Sequence, residues 1–88
     1  MSISTHGSRG MDEERLRTRL KVHRAMRDLT QADLASMAGV TRRSVNAIET
    51  GNMVPSVILA LKLARALGVT VDALFELEGD PSQQVARQ

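Results

Sequence analysis

The sequence lacks cysteine, tryptophan and tyrosine, and it has one phenylalanine in 88 residues. Without cysteine the chain can form neither a disulfide nor a thiolate metal site. The shortage of aromatic rings predicts an aliphatic core and argues against single-strand binders, which stack bases on such rings. No apolar run approaches the roughly 20 residues of a membrane span, and the first residues lack the apolar segment of a signal peptide. We therefore expect a cytoplasmic protein with no membrane partner.

Enzyme signatures are missing as well. The chain has no phosphate-binding glycine loop, no GxSxG elbow and no HExxH motif, and its carboxylates are scattered among cationic segments. We therefore predict no catalytic residue, no metal site and no cofactor. The length fits one domain, too small for a large ligand cavity. Composition predicts a disordered arm over residues 1–11, a folded domain over 12–77 and a short polar tail over 78–88.

Positive charge is concentrated in one part of the chain. The formal net charge is only +2, but eight basic and three acidic residues lie between Arg15 and Gly51. A basic first half beside a near-neutral second half suits a polyanion bound on one face. The alternative is that these arginines only make the helix surfaces soluble and bind no partner.

The segment over residues 30–51 predicts two short helices that meet at a three-residue turn. Each helix follows a threonine whose side-chain oxygen can accept a hydrogen bond from the N–H groups at a helix start. Asp33, three residues after the first threonine, completes an acidic variant of the capping box. Gly39 readily adopts the left-handed conformation that ends a helix. The predicted helices span residues 31–38 and 42 to about 50.

The apolar residues of the two helices predict how they face each other. Leu34, Val45 and Ile48 should share a core. The residues of the second helix that then look outward are Arg42, Arg43, Asn46 and Ala47. Two crossed helices with a cationic, amide-bearing start to the second form a helix-turn-helix, which places a recognition helix in the major groove of DNA.

The order of these residues resembles the Cro/repressor-type (XRE-like) helix-turn-helix family. The resemblance covers about residues 20–77. The matching pieces are Leu29-Thr30-Gln31, Leu34-Ala35, Gly39-Val40-Thr41-Arg42, Ile48-Glu49, Gly51, Pro55-Ser56, Ala64-Arg65-Ala66-Leu67-Gly68-Val69 and Leu74-Phe75. The resemblance implies an all-α fold, a compact five-helix lambda-repressor-like domain with the helix-turn-helix as its second and third helices.

The remaining three helices are predicted from caps and periodicity. The first should span about residues 12–27, because apolar residues recur along one face. The fourth, residues 57–67, should bury Val57 on its inner face, whereas Ile58 is an apolar residue at an outward position. The fifth should run from residue 71 to about residue 77.

The resemblance also implies which residues meet double-stranded DNA. Base edges are expected to be read by Arg42, Arg43, Asn46 and Ala47. Phosphates are expected to be bound by Gln31, Thr41 and Ser44, with Asn52 as a neutral donor in the following loop. Arg24 and Glu49 are expected to form a structural ion pair that ties the first helix to the recognition helix.

Two positions depart from the family pattern. His23 occupies a place where the family usually has a large apolar residue, and we interpret it as a partly buried structural histidine. Asp28 occupies a place where the family often has a helix-ending glycine, which predicts a less relaxed turn before Leu29.

The resemblance predicts a small transcriptional regulator, associated with the nucleoid and acting as a homodimer on a near-palindromic operator. The dimer is expected to use the fourth and fifth helices, with Ile58 and the tail as candidate contacts. Two alternatives stay open at this stage. One is the DNA-binding antitoxin of a toxin pair, with the toxin as its partner, and the other is a protein-interaction module.

Overall fold

The computed structural model describes residues 15–78, which form five helices and a two-stranded antiparallel sheet. In chain order the elements are β1 (Arg15–Thr18), α1 (Leu20–Met26), α2 (Gln31–Ala38), α3 (Arg42–Glu49), α4 (Val57–Leu67), α5 (Val71–Leu74) and β2 (Phe75–Glu78). The predicted helical domain with five helices is therefore confirmed, whereas the two strands were not predicted. The predicted arm, residues 1–11, and the predicted tail after its first residue lie outside the described range.

Side-chain caps set the starts of four helices. Thr30, Thr41, Ser56 and Thr70 each accept a hydrogen bond from the backbone N–H three residues further on. The Asp33 carboxylate also accepts from the Thr30 N–H at 3.0 Å, so the predicted capping box is complete. Because a cap satisfies N–H groups that have no partner inside the helix, it fixes the residue at which the helix begins.

Apart from Phe75, the core is aliphatic. It lies between α2, α3 and α4, and α1 and α5 cover its ends. The largest fully buried side chains are Leu20, Leu34, Val45, Ile48, Leu63 and Leu74. The prediction that Val57 is buried was wrong: its side chain is 75% exposed at the start of α4, beside Ile58 at 68%. None of the helices in residues 15–78 is long and apolar enough to cross a membrane.

The predicted first helix is shorter than its periodicity suggested. Residues 15–18 form β1, which pairs with β2 in the register Arg15↔Glu78, Leu16↔Leu77, Arg17↔Glu76 and Thr18↔Phe75. The fifth helix correspondingly ends at Leu74 instead of continuing to residue 77. The alternation of charged and apolar residues in both segments suits a strand pair with one charged face. Opposite charges on that face, those of Arg17 with Glu76 and Glu78, contribute to the pairing.

The turn between α1 and α2 is strained, in line with the prediction for Asp28. This residue has φ = +54° and is the only non-glycine residue with positive φ in the described range. A side chain in the left-handed region costs roughly 1 kcal/mol or more, which glycine avoids. The conformation persists because the carbonyls at the end of α1 bind the N–H groups of residues 27–29.

Candidate nucleic-acid interface

Helix α3 presents a polar face on a firmly packed support. Val45 and Ile48 lie on its inner side and are buried at 0% and 2% exposure. Its outer side carries Arg42, Arg43 and Asn46, all exposed, and the partly buried Ala47. The structure therefore places the four residues predicted to read bases on or beside one outward surface.

A shallow cleft opens where the start of α3 meets the start of α2. It is lined by Gln31, Arg42, Arg43 and Asn46. Neither arginine forms an ion pair with another residue of the range 15–78. Since helix starts also carry partial positive charge, the cleft combines two guanidinium groups with a local field that favours an anion.

The predicted partners Arg24 and Glu49 form a two-pronged ion pair that joins α1 to the end of α3. The Arg24 Nε and Nη2 atoms donate to the two carboxylate oxygens of Glu49 at 2.8 and 3.1 Å. Arg24 Nη1 also donates to the Leu29 carbonyl oxygen at 2.8 Å. The two charged side chains are only 16% and 4% exposed. This geometry fixes α3 against both the first helix and the turn before α2.

The surroundings of Glu49 keep it ionised. Burial by itself raises the pKa of this carboxyl group, but the hydrogen bonds from Arg24 and Gln31 and the charges of Arg24 and Lys21 outweigh burial and lower the pKa. The hydrogen bond to Glu49 raises the pKa of Arg24, against the effect of its own partial burial. Both groups are therefore charged at neutral pH.

Gln31 links the ion pair to the outward face of α3. Its Nε2 atom donates to Glu49 Oε1 at 3.0 Å and to Asn46 Oδ1 at 3.1 Å. Both N–H bonds of this amide are thus used inside the protein. Gln31 was predicted to bind a phosphate. In the conformation described here, its backbone N–H at the start of α2 is the group free for that role.

The other predicted phosphate ligands lie at the two ends of α3. The Thr41 hydroxyl oxygen accepts from the Ser44 N–H at 3.1 Å and donates to Ser44 Oγ at 2.9 Å, so Ser44 retains a hydroxyl proton. Asn52 lies in the loop after α3 and donates through Nδ2 to Thr50 Oγ1 at 3.1 Å. One N–H of that amide is left over, because an amide nitrogen carries two.

Two arginines of the basic first half are neutralised at a distance from α3. Arg17 contacts Glu76 at 3.4 Å and Glu78 at 3.0 Å, and Arg19 contacts Glu76 at 3.2 Å. Arg17, Glu76 and Glu78 lie on one face of the β1–β2 sheet, and Arg19 follows directly after β1. Their charges therefore contribute less to polyanion binding than the count of basic residues indicated, and the exposed arginines at the start of α3 contribute more.

Sequence reasoning missed the bonds of Gln31 to Asn46 and Glu49, and the ion pairs of the sheet. The partners are 15 and 18 residues apart in the first case and 57 to 61 in the second, and such separations give no periodic signal. The alternation Arg-Leu-Arg-Thr against Phe-Glu-Leu-Glu was the one available sign of the sheet.

Comparisons with known proteins also indicate a helix-turn-helix domain. The family model described as helix-turn-helix matches residues 20–74. An uncharacterised HTH-type transcriptional regulator of Methanocaldococcus jannaschii is 43% identical over 65 residues, which are 74% of this chain and 98% of that protein. Another uncharacterised HTH-type transcriptional regulator, YgzD of Bacillus subtilis, is 40% identical over 63 residues, which are 72% of this chain and 96% of that protein. The crystal structure of the restriction-modification controller protein C.AhdI from Aeromonas hydrophila matches with a TM-score of 0.60 and 35% identity, over 61% of this chain and 82% of that chain.

Proposed function

The chain belongs to the XRE-type helix-turn-helix family of transcriptional regulators, and from that premise we propose that it recognises a specific sequence in double-stranded DNA. In this proposal α3 lies in the major groove, Arg42, Arg43, Asn46 and Ala47 face the base edges, and the start of α2 approaches a phosphate. The relatives named as HTH-type transcriptional regulators, and the similarity to C.AhdI, named as a restriction-modification controller protein, support a role in controlling transcription.

The observation that carries the proposal is the rigid, cationic start of α3. Arg42 and Arg43 are exposed side by side, while the same helix is fixed by Val45, Ile48 and the buried ion pair of Glu49. Arginine can donate two hydrogen bonds to guanine O6 and N7. A fixed helix determines where both arginine side chains leave the backbone, so less conformational entropy is lost on binding than from a mobile segment. We therefore expect at least one guanine in each half-site.

Selection of bound duplexes from a random pool, carried out with the wild type, Arg42→Ala and Arg43→Ala, tests this assignment. Loss of an arginine that reads a base should cost about 1–3 kcal/mol and relax the preference at one position. Loss of an arginine that binds only phosphate should weaken all sites alike and reduce the salt slope by about one.

Arg17→Ala supplies the matched control, because Arg17 is an exposed arginine on the β1–β2 sheet, away from α3 and from the apolar residues at the start of α4. This variant should select the same sequence as the wild type. If Arg42→Ala and Arg43→Ala both retain the wild-type preference at every position, the assigned readers are wrong.

We further propose that the protein binds its operator as a homodimer. One recognition helix covers only a few base pairs, and two-fold helix-turn-helix dimers bind half-sites about one helical turn apart. Apolar side chains at the start of α4 and just before it support this: Val54, Val57, Ile58 and Leu61 are 77%, 75%, 68% and 54% exposed. Monomeric proteins rarely leave large contiguous apolar patches in water.

Sedimentation equilibrium, with and without a selected duplex, tests the dimer. Ile58→Glu should weaken self-association, because it places a charge in an apolar contact. Glu76→Gln, a change on the charged face of the sheet, should leave association unchanged. A wild-type protein that remains monomeric both free and on DNA contradicts the dimer but leaves the assignment of the base readers intact.

A further inference from the structure

A chain of hydrogen bonds leads from the buried ion pair to the outward face of α3. It runs from Arg24 through Glu49 and Gln31 to Asn46, over donor–acceptor distances between 2.8 and 3.1 Å. The first pair is almost fully buried, and Asn46 is exposed. The network thus connects an interior charge to a side chain that the proposed function places against DNA.

The direction of each bond in this network is fixed by chemistry. An ionised carboxylate can only accept hydrogen bonds, so Gln31 must turn its amide nitrogen, and not its oxygen, towards Glu49. The same nitrogen lies 3.1 Å from the Asn46 side chain. It donates there too, so Asn46 must turn its oxygen towards Gln31. The Nδ2 group of Asn46 is then the end left free for another partner.

We propose that Gln31 is a positioning residue that fixes the direction of the Asn46 amide, so that Asn46 meets a base as a hydrogen-bond donor through Nδ2. The inference rests on the proposed DNA-binding function. It differs from the usual pairing of asparagine with adenine, because that pairing uses the amide oxygen as an acceptor for adenine N6 and the nitrogen as a donor to N7.

A fixed donor distinguishes guanine from adenine. Guanine presents two acceptors in the major groove, O6 and N7, whereas adenine presents the N7 acceptor beside an N6 donor. An NH₂ group directed at adenine N6 leaves two donors facing each other. At the position read by Asn46, the wild type should therefore prefer guanine, and the preference should depend on Gln31.

The experiment measures binding to duplexes that carry guanine or adenine at that position, identified as the one where Asn46→Ala loses its preference. The wild type should favour guanine by about five-fold or more. Gln31→Met keeps the length of the side chain but removes both bonds. It frees the Asn46 amide to rotate, so the ratio should shift towards adenine by a similar factor. Asn46→Asp keeps the bond from Gln31 but presents an acceptor, and should also lose the guanine preference.

Ser36→Ala is the matched control, an exposed change on α2 outside the network, and it should keep the wild-type ratio. A wild-type preference for adenine, no position that depends on Asn46, or an unchanged ratio in Gln31→Met each overturns the proposal. Circular dichroism confirms that each variant is folded.

Side-chain amide signals of the free protein separate failure of the network from failure of the proposed function. In nitrogen-15 NMR spectra, the Gln31 amide protons should exchange with water more slowly than those of Asn46. Equal exchange rates contradict the network even if the protein binds DNA specifically. If Gln31 exchanges slowly but the protein selects no duplex, the network is supported and the proposed function is contradicted. Asn46 then has no base to which it could donate.

Discussion

Replacing Arg24 by methionine should lower the free energy of unfolding by about 3–5 kcal/mol at neutral pH. The substitution leaves the Glu49 carboxylate charged, 4% exposed and without its cationic partner. It also removes the donor bound to the Leu29 carbonyl. A domain of this size is expected to be stable by only about 3–10 kcal/mol in total, so the single change should remove a large part of its stability.

Urea denaturation followed by far-ultraviolet circular dichroism measures this loss. Circular dichroism is the suitable probe because the chain has neither tryptophan nor tyrosine to supply a fluorescence signal. The double variant Arg24→Met/Glu49→Met should be more stable than Arg24→Met alone. With both charges removed, no buried carboxylate is left without a partner. This comparison separates the electrostatic cost from the loss of packing by the arginine stem.

Arg17→Met is the matched control for the same chemical change. Arg17 also contacts two carboxylates, but its side chain is 52% exposed, so its loss should cost less than about 1 kcal/mol. If Arg24→Met costs no more than Arg17→Met, or if the double variant is less stable than Arg24→Met, the buried ion pair does not stabilise the fold as inferred.

Two further predictions concern pH and the backbone. Because the pKa of Glu49 is lowered in the folded protein, its stabilising contribution is present above the unfolded value of about 4.3 and is lost as the pH falls through the folded value. The stability gap between wild type and Glu49→Gln, measured by urea denaturation, should therefore stay constant above about pH 5 and narrow as the pH falls further; a gap that does not narrow contradicts this. Asp28→Gly should stabilise the protein by up to about 1 kcal/mol, because glycine has no side chain to be strained at positive φ. Gly39→Ala should destabilise it by roughly 1–2 kcal/mol. The new methyl group has open space around it, but the backbone there has φ = +73°. Thermal denaturation that shows the same sign for both changes refutes the backbone explanation.

The helices that begin at a side-chain cap could be predicted from the sequence. The predicted bounds 31–38 and 57–67 agree with α2 and α4, because Thr30 and Ser56 mark the starts and glycines in the left-handed conformation mark the ends. These signals act over three or four residues, so they are visible in the sequence alone. Val57 was misplaced because the first turn of α4 extends beyond the core.

The sheet could not be predicted, because each strand depends on a distant partner. Leu16 and Leu20 are four residues apart, which fits a helix face as well as the end of a strand followed by a helix start. Two contacts favour the strand followed by a helix start. One is the pairing of β1 with β2, and the other is the hydrogen bond that the Thr18 hydroxyl oxygen accepts from the Leu20 N–H at 3.1 Å.

Most of the residues in the candidate site could be identified from the sequence, but the orientation of their polar groups could not. The outward placement of Arg42 and Arg43 follows from the periodicity of α3. The direction of the Asn46 amide depends on a glutamine 15 residues earlier, whose own direction depends on Glu49. A family pattern names such residues individually and contains no information on which end of an amide is free.

The pairing of Arg15 with Glu78 brings the start of the first strand beside the end of the last strand. A short glycine linker could therefore join them, and new termini could be opened in the loop between α3 and α4 without cutting a helix. Such a circular permutant would reverse the order in which the two halves of the domain leave the ribosome while keeping the same packed structure.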